Sequence, residues 1–186
     1  MILSSNRYDE IKNEVVDMYE ECGLMEYPIN CFHIAQKLHY YLVPYSALSG
    51  KQLVAAMKIS TDGFHLLIEE IHTGMLRWVI FYNDQNCHER QRWTIMHEIG
   101  HIILDHTEES ELAESEANFF AKYSIAPPPL IHAAKCEDYL DIAEVFDISI
   151  QAAYYSMIYY QKWLQYGPYN YEPFEIRMLE IFGISA

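Results

Sequence analysis

Apolar positions recur every three to four residues in several stretches of this chain and every second residue in others, and that alternation sorts the sequence into elements. From Asp9 to Glu21, Ile11, Val15, Val16 and Met18 stand between acids and lysine, which predicts an amphipathic helix ended near Gly23. Pro28 opens a short helix over Cys31 to Leu38, Tyr40 to Tyr45 alternates as a strand, and Ser46 to Met57 reads as a further helix without a clean period. Phe64 to Glu69 and Met75 to Tyr82 read as two strands joined through the turn signal His72-Thr73-Gly74. Beyond the polar cluster Asn83-Asp84-Gln85-Asn86 the period lengthens. Ile95, Ile99, Ile102 and Ile103 then form one apolar stripe, so this helix presses into a core and turns its polar side to a cavity. The next helix spans Ser110 to Tyr123, with Thr107 or Ser110 as N-cap and acids in its first turn. It stops at Ala126, where Pro127-Pro128-Pro129 forbids continuation. From Leu140 to Ala153 two short helical stretches flank a tight turn, the second capped by Ser149, which is helix-turn-helix spacing.

The polar side of the isoleucine-striped helix carries His97-Glu98-Ile99-Gly100-His101. At about 100° per residue, histidines four apart lie one turn above each other on one face, so both imidazoles can reach a single ion. A catalytic zinc takes three protein ligands and keeps a fourth position open. The extended metzincin spacing fails, because Leu104 and Thr107 stand where it needs Gly and His. In the following helix Leu112, Phe119, Phe120 and Tyr123 share a face with Glu116 at its centre, while Glu111 and Glu114 point away. A carboxylate on an apolar face must be paired with a donor, such as an arginine, or bind a metal. With a histidine pair one helix away, Glu116 is the expected third ligand. Glu98, which is not a ligand, is the expected general base.

The run Arg92-Trp93-Thr94-Ile95-Met96-His97-Glu98-Ile99-Gly100-His101, followed by Glu116-Ala117-Asn118-Phe119-Phe120-Ala121 and a helix-ending proline, resembles the ImmA/IrrE family of metallopeptidases over about residues 28 to 150. Trp93 and Met96 depart mildly from the family's usual Phe and small residue. The resemblance implies zinc held by His97, His101 and Glu116, with Glu98 as catalytic base. It also implies a partner of the kind such proteins often cleave, a helix-turn-helix transcriptional repressor encoded beside them in mobile elements. The expected fold is α+β: a small sheet with a zincin-like helix pair over residues 1–126, then a helical subdomain over 127–186 with the helix-turn-helix-like segment.

Composition narrows the function further. A formal net charge of −15 over 186 residues argues against nonspecific binding to nucleic acid or an anionic membrane, and favours solubility or a basic partner. Residues 127 to 186 hold only Lys135, Lys162 and Arg177 against eight acids, so a DNA-binding role for the helix-turn-helix-like segment has no electrostatic footing. No signal-peptide core or membrane span is visible, and Cys22, Cys31, Cys87 and Cys136 lack metal or disulfide spacing, which together predict a cytoplasmic protein with free thiols. His106 lies about 140° round the helix from His101 and reads as a cap on the last carbonyls, with support of a ligand as the lesser reading. Asp105 shares the ligand face and could orient a histidine. His33, His39, His65, His72, His88 and His132 have no partner at ligand spacing and read as structural. An oxyanion donor is expected from Tyr123 or from the tyrosine-rich C-terminal helices. The readings left open are a zinc endopeptidase, a regulator that binds its partner around a structural metal site, and a DNA-binding regulator.

Overall fold

A computed structural model describes residues 3–70, 73–165 and 167–185; His72, singled out above, lies outside them, as does Tyr166 of the tyrosine-rich segment. The fold is α+β, as expected. Three strands, β1 (Tyr41–Pro44), β2 (Gly63–Glu69) and β3 (Leu76–Tyr82), form one sheet in the order β1-β3-β2. β1 runs parallel to β3, and β2 pairs antiparallel with it in a register that sets Gly63 opposite Tyr82 and His65 opposite Ile80. β2 is therefore an edge strand among the described residues.

The helices are α1 (Ser5–Cys22), α2 (Cys31–Lys37), α3 (Gly50–Ile59), α4 (His88–Ile103), α5 (Glu111–Ile125), α6 (Pro128–Ala133), α7 (Tyr139–Phe146), α8 (Ile150–Trp163) and α9 (Pro173–Ile181). Their ends follow local chemistry. Gly23 takes a left-handed φ of 63° and caps α1, and the Ser110 hydroxyl accepts the Ala113 N–H to start α5. The prolines that stop α5 also begin α6, since Pro at the first helical positions has no N–H to leave unpaired. Asp147, left-handed at φ 51°, ends α7, and Ser149 caps α8, which gives the helix-turn-helix shape read from the sequence.

One continuous core joins these parts: Ile95, Met96 and Ile99 of α4 and Phe120 of α5 belong to the same cluster as Val15, Tyr19, Leu130, Ile142, Phe146 and Met178. Buried Arg92 crosses it, donating from Nη2 to the Ile29 carbonyl at 2.7 Å and from Nη1 to the Phe146 and Asp147 carbonyls, so α4 is tied to the end of α7. No helix among the described residues is long and apolar enough to cross a membrane.

Candidate active site

Two close approaches build the site. Gly63 lets β2 lie directly on α4: a Cβ there would stand 2.5 Å from Thr94 Cγ2 and 2.6 Å from the Phe81 carbonyl oxygen. His65, two residues on and so on the same side of the strand, is thereby carried over the polar face of α4. Gly100 does the same between helices, since a Cβ would come within 2.9 Å of Phe120 Cδ1. Opposite it, α5 presents Ala113, Ala117 and Ala121, exposed by 5%, 0% and 0%, a small-residue seam that lets α5 settle against α4.

His97 and His101 meet as the spacing predicts, Nε2 to Nε2 at 3.0 Å. The carboxylate that joins them is Glu114, with oxygens 3.2 Å from His101 Nε2 and 3.5 Å from His97 Nε2. Glu116, the expected third ligand, does not stand with the histidine pair. Its carboxylate is buried on the other side of α5, held by Arg7 Nε at 2.8 Å and Nη2 at 2.6 Å and by His106 Nε2 at 2.9 Å. The reason is where α5 packs. Its buried arc follows the alanine seam rather than Leu112, which is 45% exposed, so Glu114 comes to the seam's edge facing the histidines and Glu116 faces α1. Arg7 of α1 supplies the pairing that a buried carboxylate requires. Arg7, followed by the His106 hydrogen bond, holds the Glu116 carboxyl below the usual carboxylate range against the opposing effect of burial.

His97, His101 and Glu114 offer three donor atoms within 4.8 Å of one another. That spacing fits a divalent ion: tetrahedral ligands at about 2.0–2.1 Å from zinc stand about 3.3 Å apart. Burial, with His97, His106 and His65 nearby, pushes the pKa of His101 down to about 3, so its imidazole is neutral and carries a lone pair, the state a metal needs. His106 contacts His101 directly, Nδ1 to Nδ1 at 2.9 Å; support of a ligand replaces the helix-end cap as its reading. Asp105 is left-handed at φ 53° and lines a small neighbouring pocket.

Glu98 is buried at 7% exposure, and its Oε2 lies 2.7 Å from His65 Nδ1. His65 in turn stacks on His101 with ring centroids 5.6 Å apart. Sequence reading missed His65, because nothing in linear spacing relates residue 65 to residue 98; Gly63 before it, on the same strand face, was the available signal. The cleft over these residues has a volume of about 590 Å³ and is lined by Ser60, Asp62, His65, Trp93, His97, Glu98, His101, His106, Glu108, Glu109, Glu114 and Asn118, among others. Tyr123, offered as an oxyanion donor, is fully enclosed in the core and is not among the lining residues.

A second cavity of about 630 Å³ opens on the far side of Arg90, Trp93 and Asn118, which line both. Phe119, Ile125, Ala126, Ile148, Ala152 and Tyr155 make this one mainly apolar. Beyond it the exposed face of α7 and α8 carries Leu140, Ile150, Tyr154 and Tyr155. Arg177, one of three lysines and arginines in residues 127–186, is held by Asp17 and Glu20 at 2.7 Å each.

Residues 53–157 match the family model described as Peptidase_M78, IrrE N-terminal-like domain, a span that holds β2, β3, α4, α5, α6, α7 and the first part of α8. Among curated proteins, none matches the sequence.

Proposed function

The chain belongs to the Peptidase_M78, IrrE N-terminal-like family, and from that premise we propose that it is a zinc-dependent endopeptidase that cuts a basic helix-turn-helix repressor in the cytoplasm. The observation that carries the reading is the convergence of His97, His101 and Glu114 beside a buried carboxylate, Glu98, that is not one of the three. A purely structural ion has no use for that fourth group. His97, His101 and Glu114 would hold the ion; two imidazoles and one carboxylate with an open position suit zinc. When bound, zinc supplies Lewis acidity, making water acidic near neutral pH and polarising a carbonyl oxygen.

Glu98 takes the proton of the attacking water and returns it to the leaving amine. The contact from His65 to one Glu98 oxygen leaves the other for that water and fixes the carboxylate's orientation. Across the wall of Arg90, Trp93 and Asn118 lies the apolar cavity, which would take a bulky apolar side chain of the bound substrate. Acids at the other rim, Glu108 and Glu109, favour a positively charged partner. The α7–α8 face presents tyrosine, leucine and isoleucine where a DNA reader would present cations, so its role is read as contact with protein.

Incubating the parent and a Glu98→Gln variant with zinc and a neighbour-encoded helix-turn-helix protein tests the reading by mass spectrometry. The parent alone should generate a new, chelator-sensitive terminus, with a loss on the order of 10²–10⁴ in rate for the variant. If both proteins relieve repression equally and neither cuts, the chain acts by association instead.

A further inference from the structure

Four side chains form an unbroken line from the first helix to the ligand cluster: Arg7, Glu116, His106 and His101. We infer that Arg7, Glu116 and His106 are positioning residues that set the tautomer of His101, so that its Nε2 presents a lone pair to a divalent cation. This rests on the metal-dependent reading above, and it assigns Glu116 a part in the site other than that of ligand.

The logic is one of donors and acceptors. An ionised carboxylate only accepts, and Arg7 donates to both oxygens of Glu116, at 2.8 and 2.6 Å, balancing its charge. His106 Nε2, 2.9 Å from the same carboxylate, must therefore carry hydrogen. In its neutral form the His106 ring has one N–H, so with Nε2 donating, Nδ1 is an acceptor. His101 Nδ1, 2.9 Å from it, must then donate. That leaves His101 Nε2 bare, and it is the atom that faces His97 and Glu114. The opposite tautomer would oppose two lone pairs across the 2.9 Å contact and aim a hydrogen at the ligand cluster. His97 has no such support: its Nδ1 is buried without a hydrogen-bond partner among the described residues. Arg7 and α1 also lie outside the family-matched span of residues 53–157, so part of the site's support comes from outside that span.

Groups that orient a metal-binding histidine typically contribute 10- to 100-fold in metal affinity. Zinc affinity measured by chelator competition should therefore fall roughly 10- to 100-fold in His106→Ala. Arg7→Ala should fall less, and the double variant should bind no worse than His106→Ala alone, because Arg7 acts through His106. His106→Gln, whose amide can donate to Glu116 and accept from His101, should recover part of the loss; it also serves if the alanine variant fails to fold. A merely structural role would lower the melting temperature of the metal-free proteins and leave affinity unchanged. Parent-like affinity in His106→Ala, or additive losses in the double variant, overturns the inference while the metal reading stands. If instead the parent binds no zinc, or His97→Ala and Glu114→Ala bind it as well as the parent, the metal reading falls and takes this inference with it.

Discussion

The helix pair α4–α5 looks onto two unlike spaces. On the β2 side, histidines and carboxylates line a polar cleft; on the α8 side, Phe119, Ile148 and Ala152 line a cavity of similar size that is mainly apolar. Arg90, Trp93 and Asn118 form the wall between them. The first space concentrates titratable groups whose mutual distances matter to a few tenths of an ångström. The second offers area and shape. On the proposed reading, chemistry and recognition are divided between two sides of one helix pair, and a change on either side should leave the other working.

Of substitutions outside the ligand and base residues, the larger effect is expected from Gly63→Ala, which acts on the polar side. The added methyl would meet a backbone oxygen that cannot swing away, so β2 must lift from α4 at a cost of about 1–3 kcal/mol of stability. It would carry His65 off Glu98. Thermal melting together with cleavage rate should show both losses, with the apolar cavity's side-chain preference retained among the products. A parent-like rate would mean that the His65 contact is dispensable.

A smaller effect is expected on the other side. Ala152→Trp fills the apolar cavity without touching the ligand cluster. Zinc affinity should match the parent, while digestion of a mixed peptide library, read by mass spectrometry, should lose its enrichment for a bulky apolar residue near the cut. An unchanged profile would remove the cavity from substrate recognition.

How much of this was legible in the sequence follows the same division. His97, Glu98 and His101 were legible because one helix turn fixes their relation, with no tertiary knowledge needed. The β2–β3 hairpin and the capped ends of α5 and α8 were legible for the same reason: each is decided within a few residues. Glu116 is buried beside Phe120 and Tyr123, as the face of Leu112, Phe119, Phe120 and Tyr123 implied, but its partner was not legible, because the packing arc of α5 is centred elsewhere. The helix packs instead along Ala113, Ala117 and Ala121, which carry little hydrophobic signal but permit the closest approach. The compensating partner, Arg7, is 109 residues away in the chain, and His65 is 33 residues from Glu98. Both contacts are products of packing, which spacing rules do not encode.

The central claim is that the ion sits between His97, His101 and Glu114, with Glu98 beside it and Glu116 behind. Anomalous diffraction at the zinc edge from crystals of zinc-loaded protein tests this most directly. The expected result is one anomalous peak at bonding distance from His97 Nε2, His101 Nε2 and a Glu114 oxygen, with Glu116 still on Arg7 and His106. A peak bonded to Glu116, with Arg7 released, would contradict the account and restore the ligand set that the sequence suggested.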